Sequence, residues 1–177
     1  MACIKALDKA IQYNCELGAV GLGELYLINF ADITDMTVSA TNVIEGITLK
    51  TGAKTVPVDM VKNGAKVVEA MKATDVSNGI DQTLTITLYD KAVIGSVIID
   101  ALMNGRFMAA VSYKDLRASR HMLGALCGLE ISDIQTDSSA NGGFTSITLK
   151  TPDDAKGEKR TIVGTASWTK IVKAKLT

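Results

Sequence analysis

The sequence predicts an α+β fold, mainly β: an antiparallel β-sandwich or partly closed barrel with one flanking α-helix over about residues 90–104. Three observations carry this. Ile, Val and Thr number 16, 14 and 18 of 177 residues, and such β-branched side chains are stiff at χ1 and pack well on a pleated surface. Short apolar segments bounded by Gly, Asn or Asp recur along the chain, which is the spacing of strands and turns. One segment breaks that rhythm: Val93, Ile94, Val97, Ile98, Ala101 and Leu102 would share one face of a helix.

A chain of 177 residues is expected to form a single domain, 1–177. It can bury about 70% of its unfolded surface, so its core needs neither disulfides nor metal. Lys and Arg total 19 against 19 Asp and Glu. That balance argues against a protein that grips polyanions, which carries a basic excess. At 47% hydrophobic and 21% charged residues, the composition excludes disorder, and it fits neither a coiled coil nor a collagen.

The elements are expected in this order. Residues 1–24 form an irregular N-terminal arm, with one or two helical turns from Lys5 to Tyr13 and a glycine-rich end at Gly18, Gly21 and Gly23. Strands follow at Leu25 to Phe30, Met36 to Ala40 and Val43 to Lys50, with a turn at Gly52. Val56 to Val61, Asn63-Gly64 and Ala65 to Met71 read as a hairpin, because Asn-Gly tolerates the positive φ of a type I′ turn. Residues 56–80 thus make a hairpin extension. A second Asn-Gly, at 78–79, leads into Thr83 to Tyr89, where Leu84, Ile86 and Leu88 alternate with threonines, the period of a strand with one buried face.

Asp90 suits a helix N-cap and Asn104-Gly105 a C-terminal stop. Arg106 to Tyr113 is the next strand, Lys114 to Arg120 a basic loop, and Leu123 to Ile134 a strand interrupted at Gly124 and Gly128. Asp137 to Gly143 is a turn cluster, Phe144 to Thr151 a strand, and Asp153 to Arg160 a charged loop. Thr161 to Leu176 supplies one or two final strands. Ile47 to Thr51 recurs unchanged as Ile147 to Thr151, and Ile86-Thr87-Leu88 repeats its centre. The flanking residues do not align, so this reads as reuse of a good amphipathic strand.

Catalysis needs a nucleophile, acid–base groups and something to orient them. The single His121 alternates with Leu123 and Ala125 on an expected strand. Cys127, six residues on, would stand about 20 Å away at about 3.3 Å per residue, too far for a nucleophile–base pair. No GxSxG is present. Gly18, Gly21 and Gly23 are not a dinucleotide fingerprint, and no phosphate-loop Gly-Lys-Ser/Thr occurs. The pairs Asp32/Asp35, Asp133/Asp137 and Asp153/Asp154 lack the spacing of a calcium loop and read as solvated turns. Cys3, Cys15 and Cys127 contain no paired-cysteine zinc motif, and whether Cys3 and Cys15 pair stays open. The basic loop Lys114, Arg117, Arg120 and the tail Lys170, Lys173, Lys175 lack interleaved aromatics and read as solvated faces. Met1 to Leu7 lacks the pattern of a secretory leader, and no window reaches the roughly 20 apolar residues of a membrane helix. The expectation is a non-enzymatic protein with no cofactor, no metal and no membrane partner.

The larger order is distinctive. A strand ending in Asp90 precedes the helix Val93 to Leu102, the link Asn104-Gly105-Arg106-Phe107 and the strand Met108 to Tyr113. Then come Gly124-Ala125-Leu126-Cys127-Gly128-Leu129-Glu130-Ile131 and the run Gly142 to Pro152. In this order the segments resemble the tail-tube-like structural proteins of tailed bacteriophages, particularly a set from phages and prophages of gut anaerobes. Cys3 with Cys15, and Leu25 to Asn29 followed by Asp32-Ile33, are similar to the opening of that set. The resemblance spans about Ala2 to Pro152 as loose patterns.

It implies a tail-tube-like β domain in a virion tail or neck, assembled with itself into hexameric or dodecameric rings, with other tail or neck proteins as neighbours. DNA would be passing cargo. No catalytic residues carry over. Asn63 and Gly64 of the expected hairpin, with Lys114, Arg117 and Arg120, are the candidates for contacts between subunits. The tube of a contractile injection system is a close variant. The rival is a small-ligand or carbohydrate-binding β-sandwich module, against which stand one Trp, four Tyr and three Phe.

Overall fold

The computed structural model describes residues 21–60, 64–73, 78–89, 91, 93–115, 119–139, 143–155 and 157–176. The arm up to residue 20 with Cys3 and Cys15, the Asp90 cap, Asn63 and Arg117 lie outside the described residues. Among the described residues eleven strands and two helices form two sheets. The strands are β1 (Leu22–Asn29), β2 (Ile33–Val38), β3 (Val43–Leu49), β4 (Val56–Pro57), β5 (Ala65–Ala73), β6 (Asn78–Leu88), β7 (Phe107–Tyr113), β8 (Arg120–Leu123), β9 (Glu130–Thr136), β10 (Thr145–Lys150) and β11 (Thr161–Val163). The helices are α1 (Val93–Met103) and α2 (Thr165–Lys173).

One sheet has seven strands in the order β2-β3-β11-β8-β7-β1-β4; the other has four, β5-β6-β10-β9. All pairings are antiparallel except β3 with β11. In the smaller sheet the predicted alternation sets the register. Leu84 lies opposite Leu149 and Ile86 opposite Ile147, all buried, while Thr85 lies opposite Thr148 and Thr87 opposite Ser146 on the other face. Two of the three Ile-Thr-Leu echoes therefore pair with each other. The third sits in the larger sheet and points into a different core.

There are two cores. Leu25, Leu27, Ala109, Val111 and Leu123 of the larger sheet meet Leu84, Ile86, Ile147 and Leu149 of the smaller one. On the opposite face of the larger sheet, Tyr26, Ile28, Ile44, Met108, Ala110 and Met122 pack with Trp168 and Ile171 of α2. The larger sheet is thus covered on both faces, which is why β7 reads as an unbroken apolar run from Phe107 to Val111. It also curls. A single 3-10 turn, Phe30–Asp32, links β1 to β2 although β3, β11, β8 and β7 lie between them. A flat sheet would hold β1 and β2 about 24 Å apart at about 4.8 Å per strand, whereas the step from Asn29 to Ile33 spans at most about 14 Å. α2 fills the concavity this creates.

The architecture is mainly β, a two-sheet sandwich and not a closed barrel. Four expectations are corrected. The Asn63-Gly64 hairpin does not exist: β4 pairs with β1 in one sheet while β5 pairs with β6 in the other. The local turn preference is overridden because Val58 and Ala65 reach the same inter-sheet core from different sheets. Leu123 to Ile134 is not one strand, because the left-handed backbone at Gly124 (φ 69°) and Gly128 (φ 74°) turns the chain between β8 and β9. Cys127 therefore shares no strand with His121. Of the one or two strands expected over Thr161 to Leu176, β11 is present, and the helix α2 stands where the second was expected.

The fourth correction concerns which side of α1 packs. Of the face expected to be buried, Leu102 is in the core, but Val93, Val97, Ile98 and Ala101 are exposed, and Gly95 and Ile99 face the body beside Leu102. A Cβ on Gly105, just past the helix, would meet the Ala101 carbonyl oxygen at 2.9 Å, so the chain can turn there into β7 only with glycine.

Candidate functional site

Among the described residues no group of three His, Cys, Asp or Glu side chains could hold a metal ion, and no helix is long and apolar enough to cross a membrane. Buried polar groups instead join the sheets. Gln82 accepts a bond from the Gly124 amide (2.9 Å) and donates to Glu69 (2.9 Å), which pairs with Arg160. Glu158, 1% exposed, accepts the amides of Leu126 (2.9 Å) and Cys127 (2.6 Å). Burial outweighs those bonds and raises its carboxyl above the ordinary glutamate range. Cys127 is raised as well, first by burial and then by Glu158, which opposes a reactive thiolate.

His121 stands edge-on to Tyr113, ring centroids 5.1 Å apart, and its Nδ1 is buried without a hydrogen-bond partner among the described residues. Glu69, Arg160 and Asp115 are the charged groups that act on it. Burial holds it below the ordinary histidine range. The unfolded chain therefore binds the proton more readily. The stability this group contributes is present above about pH 6.5 and is lost as pH falls through its folded value. Thermal melts between pH 7.5 and 5 are expected to show that loss, and His121→Gln to flatten it. An unchanged slope in the variant would assign the loss to another group.

Of the expected contact residues, Gly64 uses its carbonyl to accept the Thr87 amide at 2.9 Å. Lys114 is exposed at the end of β7, where its amide donates to the Gly21 carbonyl at 3.1 Å. Arg120 lies 5.3 Å over the Trp168 ring, so its guanidinium is engaged in holding α2. Lys114 and Arg120 thus lie at the same end of the β7–β8 pair, where Arg120 is opposite Ser112, while Gly64 leads into β5 of the other sheet.

The smaller sheet offers what the loop candidates do not. Its outer face carries Thr83, Thr85, Thr87, Ser146 and Thr148, alternating with the buried row. Register places Lys66, Lys72 and Lys150 on the same face with Asp81, Glu130 and Asp133, three cations against three carboxylates. Lys72 pairs with Asp81 at 3.4 Å, and Glu130 pairs with Arg106. Lys66 and Asp133 are exposed and have no ion-pair partner among the described residues. No aromatic residue occurs in the four strands.

Both edges of this sheet, β5 and β9, are unpaired in the described chain. Their charges differ: β5 bears Lys66 and Lys72 at its outer face, β9 bears Glu130 and Asp133. Because four strands alternate in direction, β5 and β9 run opposite to each other. Sequence reasoning missed these edges. The signal available was the segregation of lysines into 65–73 and of carboxylates into 130–137.

On the flank beside β9, α1 closes the gap between β4 and the smaller sheet. An apolar cavity of about 390 Å³ lies beneath it, lined by Leu27, Val56, Val58, Leu88, Ile98 and Phe107 among others. Compared with family models, with curated proteins and with solved structures, the chain matches none of them.

Proposed function

We propose that this chain is a non-enzymatic structural protein of a phage virion, a tail-tube or neck component that assembles with itself into rings around a DNA passage. The observation that carries the reading is the pair of unpaired, oppositely directed and oppositely charged edges of the smaller sheet. An open edge is a template for another strand, and charge or a bulge on it ordinarily blocks that pairing. β5 and β9 both carry charge, and β9 pairs with β10 through a bulge. The two sets of charges are opposite in sign, however, and complement each other when the edges meet. Rotation about an axis along the strands brings β9 of one copy beside β5 of the next as an antiparallel pair, and such head-to-tail contacts close into rings. The hydroxyl-rich, charge-balanced outer face of that sheet then lines the passage. It holds no excess of cations to neutralise phosphates, which is what retains DNA. The resemblance to phage tail-tube-like proteins supports the same reading, with virion neighbours and no cofactor. A module for a small apolar ligand is the second reading, favoured by the cavity under α1.

Light scattering and negative-stain microscopy of the purified chain test this. Rings or stacked tubes are expected. Lys66→Glu or Asp133→Lys alone places like charges on the joined edges and is expected to weaken assembly. The doubly reversed chain restores complementarity and is expected to assemble again. A chain that stays monomeric at high concentration, and melts higher with an apolar small molecule, overturns the ring reading in favour of the ligand module.

A further inference from the structure

We propose that the cavity beneath α1 binds a small amphiphile, an aliphatic chain ended by an amine, with the chain inside and the amine at the rim beside Asp59. This goes beyond the ring reading and can hold together with it, because none of the lining residues belongs to β5 or β9. It gives a ligand class to the cavity that favours the second reading. At about 390 Å³ the cavity is more than twice the size of the roughly 150 Å³ apolar cavity that takes up benzene. It also falls within the range of about 300–1,000 Å³ typical of small-molecule sites. Protein interiors are otherwise close-packed, with few voids larger than a water molecule.

Burial divides the lining into a floor and a rim. Leu27, Ile86, Leu102, Phe107 and Ile147 form the floor and belong to the core between the sheets. Val56, Asp59, Ile98 and Ala101 also line the cavity, yet all four are exposed. Ile98, Ala101 and Leu102 stand at i, i+3 and i+4 and so share one face of α1. Part of that apolar face therefore meets a void where a packed helix would meet side chains. Val56 supplies apolar surface from β4. An aliphatic chain lying among these residues takes their surface out of water, which is what drives apolar binding.

Charge selects the end group. Among the described residues that line the cavity, Asp59 is the one that bears a charge. It forms no ion pair with another described residue. Asn29, also in the lining, donates its Nδ2 to Asp32 at 2.9 Å, so its free side-chain atom is an oxygen acceptor with a second carboxylate beside it. An ammonium group has three donors and no acceptor, and at an exposed rim it keeps its water while meeting opposite charge. A carboxylate ligand would meet like charge there and no lysine or arginine in the lining.

The test uses the full chain with octylamine, octanol and octanoate as probes. Octylamine and octanol are expected to raise the melting temperature by mass action and to bind in titration calorimetry; octanoate is expected to do neither. Asp59→Asn is expected to weaken octylamine by about two- to fivefold, the scale of an exposed ion pair, and to leave octanol unchanged. Ala101→Phe fills the cavity from α1 and Val56→Phe fills it from β4. Each is expected to abolish uptake of octylamine in a chain that stays folded by circular dichroism, and if one fails to fold the other decides. Octylamine bound by a folded Phe variant as by the parent sits elsewhere and overturns the site. Octanoate binding as tightly as octylamine, or Asp59→Asn without effect, overturns the amine end. Uptake by monomers that is lost in rings overturns the proposal in favour of a second copy as occupant. Rings that form while neither octylamine nor octanol binds overturn this site and leave the ring reading standing. Octylamine that binds a chain that never forms rings supports the site and overturns the ring reading alone.

Discussion

Trp168→Ala is expected to lower stability by about 3–5 kcal/mol and the melting temperature by roughly 6–20 °C. Trp168 is the largest side chain that α2 inserts into the curled sheet. Its ring meets Tyr26 edge-on at 5.7 Å, and the Arg120 guanidinium lies over it at 5.3 Å. Ile171, one turn on, is fully buried, and its carbonyl accepts the hydroxyl of buried Thr55 at 2.9 Å. Removing the indole leaves a cavity that the curled strands cannot close without breaking their pairing, so the cost falls at the high end for core truncations. Lys173→Ala, on the exposed side of the same helix, is expected to change stability by less than about 0.5 kcal/mol. Circular dichroism melts read both, and equal losses in the two variants would show that α2 is held by its backbone and not by its indole.

The second large effect is at Glu158. Glu158→Leu leaves the Leu126 and Cys127 amides without their acceptor, at about 1–3 kcal/mol each, or about 2–6 kcal/mol together. Those amides belong to the turn between the left-handed Gly124 and Gly128, so the loss frees the link from β8 to β9. The glutamate has its own pH signature. Its folded carboxyl is raised above the ordinary range by burial, so the folded chain binds the proton more readily than the unfolded one. Its contribution is fully present below about pH 4.3 and is lost as pH rises through the raised value. Glu158→Gln keeps one oxygen to accept both amides and removes that slope. Urea unfolding across pH 4 to 8 separates the two variants. A Gln variant with the parent's slope would place the titration elsewhere.

The legible parts of this fold are those in which a segment's own period states its environment. Thr83 to Tyr89 and Phe144 to Thr151 declare one buried face through their alternation, and the structure pairs them. The continuous apolar run in β7 belongs to a strand covered on both sides. The helix at 93–103 was legible as a helix, yet its packed side was not. Apolar residues surround it on nearly every side, so the period does not distinguish the face toward the body from a face toward something else. α2 was misread because Thr165, Thr169, Ile171 and Val172 favour strands, although Trp168, Ile171 and Val172 stand at helical spacing after Gly164. That glycine is required by contact: a Cβ on it would meet the Ile44 carbonyl oxygen at 2.8 Å. The candidate interface was least legible, because an edge is defined by which strand lacks a neighbour.

From the residues alone follow a mainly β chain, the strands whose alternation buries one side, a single apolar helix after Tyr89 and a charge balance that does not favour gripping DNA. These are local properties, set by side-chain shape and by periods of two or 3.6 residues. The tertiary structure decided the rest: that β4 and β5 go to different sheets instead of closing a hairpin, that the larger sheet curls around a second helix, and that the smaller sheet ends in two opposed, oppositely charged edges. Each depends on contacts between residues far apart in the chain, where several pairings satisfy the same local preferences and only the burial of both cores at once selects among them.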